Sequence, residues 1–288
     1  MDIIKKISEE IGCRTSQTEA AVKLIDEGNT IPFIARYRKE ATGALNDEQL
    51  RTLHERLTYL RNLEDKKAQV IASIEEQGKL TPELRAEIEA AETMVLVDDL
   101  YRPYRPKRKT RATVAKDKGL EGLANIISLQ MTSTPIRTEA EKYVSTEKGV
   151  ETVDDAISGA MDIIAENISD TADYRTKIRD LTTKKGFINT TAKDPDAESV
   201  YEMYYNFSAP ISKMTGYRTL AINRGEKEKF ITVKIEAPVD EIISYLRKKI
   251  IARDNSDTSE ILDNASAASA AQFARSEHTR FKSSVHSS

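Results

Sequence analysis

Residues 28–43 read GNTIPFIARYRKEATG, and this pattern predicts a short helix around which the N-terminal part of the chain is organised. Gly28 favours the left-handed end of a preceding helix, and Pro32 fits the first turn of a new one, where its missing N–H costs nothing. The apolar start should fix this helix to the core. We therefore expect both Phe33 and Ile34 to be buried.

Positive charge follows the apolar residues, at the C-terminal end of the predicted helix. Arg36, Arg38 and Lys39 lie within four positions of one another. Because paired surface charge is common, the residue types alone favour a buried connector, with Arg36 and Arg38 in ordered ion pairs with neighbouring acids. The alternative is that these three cations form a secondary contact with nucleic acid.

Residues 98–112, DDLYRPYRPKRKTRA, form the strongest functional signal, on a chain whose net charge is only −3. Tyr101 and Tyr104 interleave with the cations, and Pro103 and Pro106 disfavour helix, so we expect an extended backbone. The six cations are Arg102, Arg105, Lys107, Arg108, Lys109 and Arg111. Cations spread at a spacing comparable to that of phosphates, with tyrosine rings for stacking, predict weak nucleic-acid binding without sequence preference.

A structural alternative explains the same basic stretch. It could be a loop strapped across the helices, with its arginines paired to the adjacent Asp98 and Asp99. Two neighbouring acids on regular structure do not share a face, so they make a poor pair of metal ligands for a nuclease. The residue types do not decide between nucleic-acid binding and a purely structural loop.

The hydrophobic pattern predicts a mainly α-helical chain, elongated, with many helices in its N-terminal region. Asn46 and Gln49 form a capping-box pattern that opens a long helix with a leucine stripe, ending at Gly78. Residues 152–184 predict either one helix or two, with a break near residues 169–170. We expect a helical domain over residues 1–190.

Two further regions follow this helical domain. Residues 191–264 predict a mixed segment, in which residues 220–222 and 230–235 form a small β-hairpin that a helix follows. Residues 265–288 are mostly alanine, serine and scattered polar residues without apolar periodicity, and this composition predicts disorder.

The composition argues against several functional classes. The only cysteine, Cys13, excludes an intrachain disulfide and indicates a reducing, cytoplasmic location. No secretory signal or membrane-length apolar run is present, so no membrane partner is expected. His54 lies among leucines, and there is no cysteine–histidine metal spacing or glycine-rich phosphate loop. We predict no catalytic residues, no metal and no cofactor: the chain is not expected to be an enzyme.

Three strings resemble signature segments of the Tex family of bacterial transcription accessory proteins. They are TIPFIARYRKEATG (residues 30–43), DDLYRPYRPKRKTRA (98–112) and, more weakly, RTLAINRGE (218–226). The resemblance runs in family order to about Asp263, so residues 265–288 are predicted to be a non-family tail, from an altered or shortened end. Gly216 and Tyr217 stand where the family usually has a Ser-His pair, which puts the role of that segment in doubt.

The resemblance implies a helical region that carries helix-turn-helix elements and a role in transcription through RNA or DNA and the transcription machinery. It also implies that the family's clearest binding module, an OB-fold, lies beyond the matched residues. We therefore predict a non-enzymatic transcription accessory protein fragment that binds nucleic acid, transcription machinery or both. The alternatives are a helical protein-interaction scaffold without nucleic-acid binding and, less favoured, a nuclease.

Overall fold

The computed structural model describes residues 2–106, 109–253 and 256–285. The chain divides into an N-terminal unit, Met1–Tyr104, and a C-terminal unit, Arg105–Ser288. Both units are mainly helical, as the sequence predicts, and the second also contains a small sheet. The division differs from the predicted boundary at residue 190, because the helices from residue 111 onward share their core with helices that come after that position.

The N-terminal unit is a bundle of helices packed on one long member. Its helices are α1 (Ile3–Ile11), α2 (Thr15–Asp26), α3 (Ile31–Tyr37), α4 (Asp47–Glu76), α5 (Pro82–Ala90) and α6 (Met94–Tyr101). The long helix α4 starts as predicted: the Asn46 side chain accepts from the Gln49 N–H at 2.8 Å, and the Gln49 side chain accepts from the Asn46 N–H. Its buried stripe is Leu50, Leu53, Leu57, Leu60, Leu63, Val70 and Ile74.

One buried residue of α4 is charged. Lys67 lies within the apolar stripe, and its ammonium donates to the Glu64 carboxylate and to the Glu89 carbonyl, each at 2.8 Å. A buried ammonium is tolerated only when its protons are satisfied in this way. Lys67 thereby links α4 to the end of α5.

Two arginines of α4 hold the helices that precede it. Arg56 donates two hydrogen bonds to Glu10 on α1, at 2.6 and 2.8 Å, and Arg61 donates two to Asp26 on α2, at 2.7 and 2.8 Å. The hydrogen bonds from these arginines lower the pKa values of the Glu10 and Asp26 carboxyls, although partial burial opposes the shift. Both pairs are therefore strongest when the carboxyls are ionised.

We expect acid to remove the contribution of these two pairs. Since their folded-state pKa values lie below the unfolded ones, they stabilise the unit above the unfolded pKa and lose that effect as pH falls through the folded pKa. Replacing Arg56 and Arg61 with glutamine should cost about 0.4–2 kcal/mol at pH 7, because both pairs are partly exposed, and a smaller amount at about pH 3, below the unfolded pKa values of the two carboxyls. Urea unfolding at both pH values measures this, and an equal cost at both would contradict it.

The C-terminal unit contains the remaining described helices and the sheet. Its helices are α7 (Arg111–Asp117), α8 (Glu121–Leu129), α9 (Ile136–Glu141), α10 (Val153–Asp170), α11 (Ala172–Lys185), α12 (Gly216–Lys227), α13 (Val239–Ile250) and α14 (Ser256–Val285). Of the two alternatives for residues 152–184, the two-helix one is confirmed, since α10 ends at Asp170 and α11 begins at Ala172. The central helix α10 packs against α7, α8, α9 and α14.

The sheet has three antiparallel strands in the order β2-β1-β3: β1 (Phe187–Ala192), β2 (Asn206–Pro210) and β3 (Ile231–Glu236). Strand β3 confirms the prediction for residues 230–235, but the predicted hairpin is wrong, because residues 220–222 belong to α12 and β3 pairs with β1. The Thr215 hydroxyl accepts from the Arg218 N–H at 3.4 Å and caps α12. The three apolar residues 220–222 fit a helix as well as a strand, and this cap favours the helix.

The predicted disorder from residue 265 is wrong for the described residues, which continue α14 to Val285. Among the described side chains, its buried residues recur at helical spacing: Thr258, Leu262, Ala265, Ser266, Ser269, Ala270 and Phe273. Most of them are small, so α14 and α10 approach closely: the Ser269 hydroxyl donates to the Ala165 carbonyl, and the Ser169 hydroxyl donates to Gln272, each at 2.8 Å. Alanine and serine here form a packing face rather than a solvated tail.

Candidate nucleic-acid interface

The basic stretch belongs to both units. Tyr101 ends α6, and Arg102–Tyr104 form a 3₁₀ turn in the N-terminal unit, where the sequence predicts extended backbone. Arg105 and the cations after it belong to the C-terminal unit. Lys107 and Arg108 lie outside the described residues. The four described cations, Arg102, Arg105, Lys109 and Arg111, therefore do not lie on one structural element.

The two tyrosines of the stretch are partly buried in the N-terminal unit. Both rings pack against its core, and the Tyr101 hydroxyl hydrogen-bonds with the Ser73 hydroxyl at 3.0 Å. The Gln77 side chain donates to the Tyr104 carbonyl at 2.9 Å. These contacts give the tyrosines an anchoring role on α4, and base stacking by Tyr101 and Tyr104 stays a prediction.

Two of the predicted cations, Lys109 and Arg111, line a pocket of about 460 Å³ in the C-terminal unit. Its remaining lining comes from α7, the turn after it and α10. These residues are Thr110, Val114, Ala115, Lys118, Leu120, Asp155, Ser158, Gly159 and Asp162. The pocket thus combines an apolar floor with cations and two carboxylates.

Hydrogen bonds at the start of α7 position the two cations. The Thr110 hydroxyl caps α7 by accepting from the Thr113 N–H at 3.1 Å, and it donates to Glu166 on α10 at 3.0 Å. Below them, Gly159 lets α10 approach the turn after α7, because a Cβ there would lie 2.3 Å from Leu120 Cδ1. Both Lys109 and Arg111 remain exposed at this junction.

The charges of the pocket are not equivalent. Burial raises the pKa of the Asp162 carboxyl, and the charge of Arg111 partly offsets this shift. Lys118 donates to the Gly149 carbonyl at 2.8 Å, so it is held against its own unit. Sequence reasoning did not find Lys118 or Asp162, since Asp162 lies about fifty positions from the basic stretch and no local pattern marks it.

The secondary candidates on α3 differ from expectation. Arg36, Arg38 and Lys39 are exposed, and none of them forms an ion pair with a residue that the structure describes. The predicted carboxylate pairs of Arg36 and Arg38 are therefore wrong. Instead, their guanidinium groups lie over the rings of Tyr37 and Phe33, respectively.

Two features are absent from the part of the chain that the structure describes. Among the described residues there is no group of three or more histidine, cysteine, aspartate or glutamate side chains arranged to hold a metal ion. Within the same residues, no helix combines the length and apolarity needed to cross a membrane.

Family models match most of the chain. The Tex-like protein N-terminal domain matches residues 1–75, and the Tex central region matches residues 131–279. The second match extends through most of α14, so the prediction of a non-family tail from residue 265 is wrong as far as residue 279.

Curated relatives agree with these models. An uncharacterized protein YdcI of Bacillus subtilis is 47% identical over 90% of this chain and 36% of its own length. The transcriptional accessory protein Tex of Neisseria gonorrhoeae is 39% identical over 88% of this chain and 34% of its own. The human S1 RNA-binding domain-containing protein 1 is 29% identical over 81% of this chain and 24% of its own length. The chain thus spans about a third of the length of the bacterial relatives.

Proposed function

We propose, because this chain belongs to the Tex family, that it serves transcription in the cytoplasm as a non-enzymatic part that binds nucleic acid and contacts the transcription machinery. Relatives named as a transcriptional accessory protein and as an S1 RNA-binding domain-containing protein support this role. The helix-turn-helix character of the N-terminal region stays a prediction.

The exposed pair Lys109 and Arg111 is the observation that carries the binding proposal. Both cations stand at the mouth of the pocket beside α7, and Lys107 and Arg108 precede them directly in the chain. The whole chain carries a net charge of −3, so the attraction to phosphate is local and strongly screened by salt. Contacts of this kind bind all sequences with similar affinity.

We expect duplex DNA binding to weaken with salt at a log–log slope of about 2–4, since each neutralised phosphate adds about 0.9. Replacing both Lys109 and Arg111 with alanine should reduce this slope by about 1–2 and weaken all sequences alike. Fluorescence anisotropy with single- and double-stranded DNA and RNA measures both quantities. The matched control replaces two other exposed lysines of the same unit, Lys177 and Lys213, and should change neither.

The same titration separates the two other functional classes. If the Lys109 and Arg111 variant keeps the affinity and slope of the parent, the basic stretch is structural and the interaction-scaffold function is favoured. Incubating labelled RNA and DNA with the parent chain and Mg²⁺ or Mn²⁺ tests the nuclease function, for which cleavage is the positive result.

A further inference from the structure

We propose that α3 and its C-terminal turn form a stacking site for the bases of single-stranded nucleic acid. The site consists of Phe33, Arg36, Tyr37 and Arg38, which we call the aromatic ladder. This inference rests on the proposed nucleic-acid binding, and it adds a second contact site, a mode of contact and a preference for unpaired strands.

The ladder is a row of four flat groups. The ring centroids of Phe33 and Tyr37, one helical turn apart, are separated by 5.3 Å with a 47° angle between the rings. Arg38 Cζ lies 5.6 Å from the centroid of Phe33, and Arg36 Cζ lies 6.0 Å from that of Tyr37. Arginines therefore stand at both ends of an aromatic pair.

Both aromatic residues of the ladder are exposed. The Tyr37 side chain is 59% exposed, and Phe33 is 36% exposed, against the prediction that it is buried. In α3 it is Ile34 that enters the core. Part of each ring, and both guanidinium groups at the ends of the row, therefore remain accessible to a flat partner.

The chain beneath the ladder is fixed before any ligand arrives. The Gln17 side chain donates to the carbonyls of Thr42 and Gly43 at 3.1 and 3.0 Å, and the Thr42 hydroxyl donates to the Arg38 carbonyl at 3.2 Å. Gly43 has a φ of 60°, and a Cβ there would lie 2.6 Å from the Gln17 amide nitrogen. A preformed site loses less conformational entropy on binding.

Charge decides which partner fits. Arg36, Arg38 and Lys39 are exposed without ion pairs to the described residues, and Glu40 is the single acidic residue in the sequence from 28 to 46. Successive bases stack on aromatic and guanidinium planes while nearby cations meet the phosphates, which is how proteins bind single strands. A duplex hides its base faces, so the ladder favours unpaired RNA or DNA.

The test compares two probes of equal charge on the full chain: a fluorescein-labelled adenylate 12-mer and a 12-residue backbone without bases. Tyr37→Ala should weaken binding of the adenylate about tenfold, as expected for the loss of one stacking partner. Binding of the base-free strand should change less than about twofold, because its phosphate contacts are kept. Tyr37→Phe should bind like the parent.

Tyr217→Ala is the control, since Tyr217 is a helical tyrosine of the C-terminal unit that is even more exposed than Tyr37, and it should bind both probes like the parent. Because Tyr37 is exposed, the thermal midpoint of Tyr37→Ala should match that of the parent. If Tyr37→Ala binds the adenylate unchanged, while the Lys109 and Arg111 variant binds it more weakly, the ladder inference is overturned and the proposed function stands. If the parent binds neither probe, the ladder inference fails, and the proposed function then depends on the duplex titration alone.

Discussion

Replacing Phe273 with alanine is expected to lower the free energy of unfolding of the C-terminal unit by about 3–5 kcal/mol. Phe273 is 1% exposed, and it is the largest fully buried side chain of the described residues. Arg175 Cζ also lies 5.4 Å from the centre of its ring. Truncation would therefore leave a cavity and remove the aromatic face over which this buried arginine lies.

Chemical denaturation followed by circular dichroism measures this cost. Asn264→Ala is the matched control, because Asn264 is an exposed position of α14, and it should change stability by less than about 0.5 kcal/mol. A Phe273→Ala variant as stable as the parent would show that α14 does not complete the core and would restore the prediction of a dispensable tail.

Replacing Ile34 with alanine should destabilise the N-terminal unit by about 2–5 kcal/mol. The side chain is 0% exposed and belongs to the same core cluster as the stripe of α4. It is the fully buried contact of α3 with this core, beside the partly buried Ile31 and Ala35, so its truncation should also loosen the ladder above it.

The neighbouring Phe33→Ala variant is the control for this second prediction. Because Phe33 is 36% exposed, its truncation should cost less than half as much as that of Ile34, although it removes more atoms. Urea unfolding of the two variants gives the order directly. The reverse order would mean that Phe33, as the sequence pattern predicts, is the residue that joins α3 to the core.

The sequence predicts best where one local rule suffices. The cap at Asn46, the stripe of α4, the break between α10 and α11 and the strand β3 all follow from spacing or cap chemistry within a few residues. The same holds for the mainly helical class. Local patterns predict these elements because their physical cause, a cap hydrogen bond or a regularly spaced apolar face, involves only residues of the pattern itself.

The errors have physical causes that single positions illustrate. Small residues such as Ala265 and Ser269 form the buried face of α14. Because alanine and serine are only weakly apolar or polar, the sequence shows no apolar periodicity there and predicts a disordered tail. In α12, Gly225 looks like a turn residue, yet a Cβ there would lie 3.0 Å from the Tyr201 ring, so close packing explains the glycine. The charge of Arg111 acts on the pKa of Asp162 only because tertiary packing brings the two residues together.

The pairing of α14 with α10 also sets an order of events during synthesis. The hydrogen bond between Ser169 and Gln272 joins residues 103 positions apart, whereas the Arg56–Glu10 pair spans 46. At about 5–20 residues per second, a ribosome needs roughly 5–20 s to add that longer stretch. During this interval the α10 face of the nascent chain has no native cover, while the N-terminal unit is already complete. Chaperones that bind emerging polypeptides should therefore engage this protein at the face of α10 that α14 later covers.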